Sequence, residues 1–177
     1  MAHKIKFIEV SSKEDVSAIV SIAYNIWREH YAPIIGLGQV AYMLDKFQSH
    51  AAIVEQLVSG YKYYLLEEAG TYIGYLSFAL KRNELFLSKL YIDSAFRRKG
   101  IAKLSLNYIR EIAKNSGVEK LSLTVNKNNT GSIEAYKKMG FSIVKSVVNE
   151  IGGGYVMDDY IMELPLLTDI SERKIYE

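Results

Sequence analysis

The chain has 177 residues, 49% of them hydrophobic and 24% charged, with no cysteine. That length fits one domain with a sizeable core, and the missing cysteine excludes disulfides, thiolate metal sites and any acyl-cysteine intermediate. Lysine and arginine number 22 against 20 acidic residues, a net charge of +2, too balanced to announce a nucleic-acid partner. Residues 4–10 alternate apolar and polar and predict a first strand. Ser11, Ser12 and Asp15 then offer caps to a helix striped with Val16, Ile19, Val20, Ala23, Ile26 and Trp27. Pro33 breaks that helix or closes the turn after it. A second helix carries Val40, Met43, Leu44 and Phe47, and a short third one carries Ile53, Val54 and Leu57 before Gly60. The period then changes to two: 61–68 and 72–80 form a hairpin about Ala69-Gly70-Thr71. Residues 84–92 are a strand in which regular alternation puts Glu84, Phe86, Ser88 and Leu90 on one face. A helix over 100–115 ends at Gly117, a strand follows over 120–125, and a short helix over 130–139 stops at Gly140. Residues 141–148 and 155–164 make a last hairpin around Gly152, Gly153 and Gly154, and 165–177 read as a peripheral tail. The order predicts an α/β (α+β) domain over 1–164, a mixed sheet with helices on its faces. No signal-peptide core follows Met1, and the uncharged run from Tyr31 to Leu44 is shorter than the roughly 18 apolar residues of a membrane span. A cytoplasmic protein with no membrane partner is expected.

Two segments carry chemistry. The first runs from Leu90, Tyr91 and Ile92 through Asp93-Ser94-Ala95-Phe96-Arg97-Arg98-Lys99-Gly100 into Ile101, Ala102 and Lys103. A buried-type strand here leaves into a basic loop, and the loop passes through a glycine into an amphipathic helix. The unpaired N–H groups and positive dipole end of that helix favour an anion, and Gly100 permits close approach of a ligand to the backbone. Arg97, Arg98, Lys99 and Lys103 add charge, which makes pyrophosphate the natural ligand. A solvated basic loop is the plain alternative for Arg97-Arg98-Lys99-Gly100 taken by itself.

The second segment runs from Asn126 through Asn129, Ser132 and Tyr136 to Met139-Gly140-Phe141. Here a strand ends in an asparagine cluster that caps a helix. Tyr136 shares its stripe with Ile133 and Met139, the position of a core tyrosine.

Arg97-x-x-Gly100-x-Ala102 matches the [Gln/Arg]-x-x-Gly-x-[Gly/Ala] signature of GNAT-type N-acetyltransferases, and the segment from Asn129 through Tyr136 to Phe141 resembles that family's second signature. The element order is also similar, over roughly residues 4–164. The resemblance implies the GNAT fold, a single splayed sheet of about seven strands with helices on both faces. It also implies acetyl-coenzyme A lying between the strands over 84–92 and 120–125. Pantetheine would then pair with Leu90, Tyr91 and Ile92, and pyrophosphate would bind N–H groups from Arg98 to Lys103, with Lys99 or Arg97 reaching the remaining phosphate. Asn126 and Asn129 would contact the cofactor near the gap, and Ser132 would add a hydroxyl. A backbone N–H of the first strand would hold the oxyanion. The family's leaving-group acid maps onto Tyr136, acting as a strong hydrogen-bond donor or as an acid with a locally lowered pKa. Glu84 is either a base or a strand-end charge.

The acceptor amine is expected between the front helices and the last hairpin, where Trp27, Glu29, His30, Tyr31, Tyr155, Asp158 and Asp159 are candidates. Residues 27–31, the helix over 39–47 and residues 157–162 resemble the polyamine acetyltransferase subgroup. Trp27, Tyr31, Glu84 and Asp158 are the substrate-binding candidates, for a small-molecule or protein amine; a homodimer is expected. The rival reading is a non-catalytic coenzyme A-binding regulatory domain on the same fold. Gly36-Leu37-Gly38-Gln39-Val40-Ala41 fits the dinucleotide fingerprint but follows a helix, not a strand, and is rejected. His3, His30 and His50 lack metal-ligand spacing.

Overall fold

In a computed structural model, which describes residues 4–166, the chain folds around one seven-stranded sheet ordered β1-β2-β3-β4-β5-β7-β6. β1 is Ile5–Glu9, β2 Lys62–Glu68, β3 Thr71–Leu80, β4 Glu84–Ile92, β5 Lys120–Asn126, β6 Ser142–Gly152 and β7 Tyr155–Pro165. Every neighbouring pair is antiparallel except β4 and β5, which are parallel. Parallel neighbours need a crossover, and the helix α5, Ile101–Asn115, supplies it.

The helices divide between the two faces. α1 (Lys13–His30), the single turn α2 (Ala32–Ile35), α3 (Leu37–Gln48) and α4 (His50–Val58) cover one face. Ile19, Ala23, Trp27, Val40 and Ile53 pack there against Tyr63, Leu65 and Tyr75. α5 and α6 (Thr130–Lys138) cover the other, where Ile101, Leu106, Ile109 and Ile133 meet Leu85, Leu87, Leu121 and Leu123. Each fully buried side chain of this kind contributes roughly 1.5–3 kcal/mol, so both faces are firmly anchored.

Local chemistry explains the boundaries. Ser12 and Asp15 form a reciprocal capping box at the start of α1. α1 ends at His30, and Pro33 sits in the first turn of α2, where its missing N–H costs nothing. Ala69 and Gly70 take φ of +50° and +82° and close the β2–β3 hairpin.

β6 runs four residues beyond the Val148 expected from the sequence. It is the edge strand and almost wholly exposed, with Val144 and Val148 among its open side chains. Without a buried face no alternation marks its end. Of the tail expected over 165–177, residues 167–177 lie outside the described residues. Among the described residues no helix is long and apolar enough to cross a membrane.

Candidate active site

β4 and β5 pair only from Glu84 opposite Lys120 to Leu87 opposite Leu123. Beyond that point β5 stays with β7 as far as Asn126 opposite Asp159, and β4 stays with β3 as far as Ile92 opposite Gly74. From Ser88 and Thr124 onward the two parallel strands therefore fork, and among the described residues their facing edges have no strand partner.

A bulge sits at the fork. Ser77 of β3 pairs with Lys89 and Phe78 pairs with Leu87, so Ser88 is an extra residue. One extra residue reverses the alternation of everything after it. Leu85 and Leu87 before the bulge, and Leu90 and Ile92 after it, all face the α5 side. Tyr91 faces α1 and α3 instead. The expectation that Leu90 shares a face with Glu84 is thus corrected. At Gly74 the strands are so close that an added Cβ would overlap the Tyr91 carbonyl oxygen and lie 3.1 Å from the Ile92 Cα.

On the α5 side of the fork lies a cavity of about 750 Å³. Leu90, Tyr91 and Ile92 form its β4 wall. Arg97, Arg98, Gly100, Ile101, Ala102 and Lys103 form its basic end. Arg98 and Gly100 take φ of +59° and +81°, left-handed conformations that turn successive N–H groups into a concave nest. Ser12, Ser49 and Asn129 cap α1, α4 and α6 with side-chain oxygens, whereas Gly100 at α5, like Gly36 at α3, gives no such cap. The first-turn N–H groups of α5 thus remain for a ligand, and the site suits an anion.

The remaining residues divide. Arg97 lines the cavity, but its Nε donates to the Ile92 carbonyl at 2.8 Å and its Nη1 lies 3.4 Å from His30 Nδ1. Burial, then the Arg97 charge, push the His30 pKa down, which suits a neutral ring as acceptor. Arg97 accordingly ties the end of β4 to α1. Lys99 is not among the lining residues and rests over the Phe96 ring at 4.9 Å.

Asn129 is 4% exposed and accepts the Ser132 N–H; both residues line the cavity. Asn126 does not line it. Its Oδ1 accepts the Asn128 N–H at 2.9 Å, and it faces the opposite cavity. Tyr136 lines the cavity on the α5 side with its ring edge-on to Phe141 at 5.6 Å. Burial pushes its pKa up, which favours the hydrogen-bond-donor alternative over a locally lowered value.

Across the fork lies a second cavity of about 590 Å³. Trp27 of α1, Tyr31 at its C-terminal cap, Gln39, Met43 and Lys46 of α3, and Met157 and Asp159 of β7 wall it. Trp27 is fixed by its Nε1 donating to the Tyr75 hydroxyl, which donates to Gln48 Oε1. α3 holds the β6–β7 hairpin through Tyr42 Oη on the Ile151 carbonyl at 2.6 Å and Gln39 Nε2 on the Val156 carbonyl at 2.7 Å. Both cavities share Tyr31, Ser88, Lys89, Tyr91, Thr124 and Val125, so they meet through the fork.

Four of the predicted acceptor-side residues, Glu29, Tyr155, Glu84 and Asp158, line neither cavity. Glu84 lies at the closed end of the β4–β5 pair, 3.6 Å from Lys81 and 3.9 Å from Lys120, as a strand-end charge. Asp158 points the other way from Asp159, as strand neighbours must, and pairs with Lys127. Asp159 is the buried acid of the pair, 6% exposed, with its pKa pushed up to about 6 by burial and by Asp158. Lys89 went unnoticed in the sequence. It is 7% exposed, and burial alone pushes its pKa down to about 7. Its signal was the three-residue step between Leu87 and Leu90, where strand alternation breaks. Among the described residues no group of side chains could hold a metal ion.

A profile of the Acetyltransferase (GNAT) family matches residues 23–141. The GCN5-related N-acetyltransferase 6, chloroplastic, of Arabidopsis thaliana is 39% identical over 61 residues, 34% of this chain; the chain spans only 21% of that protein's length. The spermidine N(1)-acetyltransferase of Thermoplasma acidophilum is 23% identical over 137 residues, 75% of this chain and 85% of its own. The PaiA N-acetyltransferase of Thermoplasma acidophilum, solved in complex with coenzyme A, superposes with a TM-score of 0.78 at 23% identity, covering 92% of this chain and 99% of that one. This last likeness is one of fold. The family profile runs from within α1 to the residue before β6, across the whole fork and both signature segments, and the chain belongs to the GNAT family of acetyltransferases.

Proposed function

We propose that the protein transfers an acetyl group from acetyl-coenzyme A to a primary amine by direct attack within a ternary complex. The observation that carries this is the pair of cavities meeting at the fork, one with an anion nest and the other with a buried carboxylate. The nest at Arg98–Lys103 suits the pyrophosphate, and the open edge of Leu90–Ile92 suits the pantetheine. The thioester then reaches the fork from one side and the amine from the other. Attack forms the C–N bond, and a backbone N–H of the open β4 edge holds the oxyanion. Collapse breaks the C–S bond while Tyr136 donates a hydrogen bond to the departing thiolate. The nitrogen's proton passes to Asp159, whose raised pKa places it near the working range of a general base. The cysteine-free sequence fits a reducing, cytoplasmic setting.

The experiment is an acetyl-coenzyme A assay of thiol release across a panel of amines. Spermidine and spermine head it, because the Thermoplasma relative's name supports a polyamine acceptor. Thiol release that requires both substrates is the expected result. Tight coenzyme A binding with no amine turned over would favour the rival reading, a non-catalytic coenzyme A-binding domain.

Gly74→Ala tests the fork. The added methyl must displace the β4 backbone at Tyr91 and Ile92. A stability loss of roughly 1–3 kcal/mol is expected, together with weaker coenzyme A binding by calorimetry. Unchanged coenzyme A affinity would detach the cofactor from this edge.

A further inference from the structure

One buried amine is left without a role in this chemistry. The Lys89 Nζ donates to Gln56 Oε1 at 2.6 Å and to Ser88 Oγ at 3.2 Å, and it lies 5.2 Å from the Tyr63 ring centroid and 5.9 Å from that of Tyr61. All four partners are neutral. Among the described residues the ion pairs engage other lysines, and none includes Lys89. A buried amine with no counterion holds its proton weakly, and an anion placed beside it would restore the charge.

Its position limits what it can do. Gln56 and Tyr61 line the acceptor-side cavity alone. The amine tip is therefore turned into that cavity, with its Ser88 partner standing where the two cavities meet. The Gln56 side chain is already occupied: its oxygen also accepts from the Tyr63 hydroxyl at 2.8 Å, and its nitrogen donates to the Phe47 carbonyl at 3.0 Å. The lysine tip is left as the charge that an incoming group would meet.

The cavity as a whole is dipolar. Lys46 and Lys89 stand against Glu55 and Asp159. A polycation finds no excess of negative charge here. An acceptor with one amine and one anionic group finds a complement for each.

Resting on the acetyltransferase reading, we propose that the acceptor is an amino carboxylic acid whose carboxylate binds Lys89 while its amine lies at the fork near Asp159. Lys89 is then a specificity-determining residue. A charge-assisted contact between a lysine and a carboxylate is shorter and roughly twice as strong as a neutral one. Pairing also relieves the desolvation that Lys89 suffers alone.

The test compares β-alanine, γ-aminobutyrate and ε-aminocaproate, each with its own carboxamide, and with spermidine, in the acetyl-coenzyme A assay. At least one carboxylate is expected to exceed its carboxamide by about tenfold in kcat/KM, the factor that 1.4 kcal/mol carries. In Lys89→Met that ratio is expected to fall to about one. The variant is expected to fold, since it removes a buried amine without a counterion and Gln56 Oε1 keeps its Tyr63 donor, and thermal unfolding checks this. A ratio near one in the unaltered protein, a ratio that survives in folded Lys89→Met, or spermidine outrunning every carboxylate overturns the proposal and leaves the activity standing. If no amine is acetylated at all, the activity reading falls and takes this one with it.

Discussion

Tyr136→Phe is expected to lower kcat by roughly 100-fold, the usual cost of removing one hydrogen-bond donor to a developing negative charge. Coenzyme A affinity should change little, because the phenyl ring can keep its edge-on contact with Phe141. The size of the effect follows from what the hydroxyl can do. A free tyrosine near pKa ~10 is about 1.5 units weaker as an acid than a thiol near ~8.5, a mismatch of roughly 2 kcal/mol. Burial widens the gap by pushing Tyr136 further up. Full proton transfer is therefore unfavourable, and on the proposed mechanism the residue would act as a neutral donor while solvent completes protonation of the thiolate. Steady-state rates with calorimetric coenzyme A titration check this. Full turnover in the variant would remove Tyr136 from the reaction.

Asp159→Asn separates activity from stability. The side chain interacts electrostatically with Tyr31 at the end of α1, neighbours Asp158 on its own strand, and feels Lys127 from the loop after β5. In the unaltered protein kcat/KM should rise as pH increases through about 6, where the carboxyl ionises. In the variant that limb should vanish and activity at neutral pH should fall by roughly 100-fold, the lower range for loss of a general base. Stability should move the other way. The folded carboxyl holds its proton up to about pH 6, whereas the unfolded one releases it near 3.8. A raised folded pKa gives stability that is fully present below 3.8 and is lost as pH rises through 6. Above that range the native protein carries a desolvated charge that asparagine lacks. A gain of about 1–2 kcal/mol at pH 8 is expected, reduced from two full pKa units because Lys127 and solvent screen the group. The two proteins should converge in stability below pH 4. A variant that loses both stability and activity at pH 8 would mean Asp159 is a structural acid.

Much of this site was legible in the sequence because its parts are local. The strand leaving through Arg98 and Gly100 into α5 is written in consecutive residues, and so is the capped start of α6 at Asn129. The bulge at Ser88 was not read, because pairing between strands creates it. Strict alternation from Glu84 therefore put Leu90 on the wrong face and gave Lys89 no place in the acceptor cavity. Asp158 and Asp159 look alike in sequence, and a choice between them requires the register of β7 against β5. Arg97 carries a charge suited to phosphate, but the Ile92 carbonyl and His30 had first claim on it. Charge type can be read from a sequence, whereas its competing partners belong to the fold.

The forked pair has one further consequence. β4 and β5 are joined over only four residue pairs, so the sheet consists of two rafts, β1 to β4 and β5 to β7, meeting at a short seam that α5 alone bridges along the chain. A long ligand laid in the fork spans that seam as a missing strand would. At a hundred times its dissociation constant, such a ligand adds about 2.7 kcal/mol to folding stability. The cofactor would then be both a reactant and a brace across the seam, added to the core on the α5 side that already packs β4 against β5.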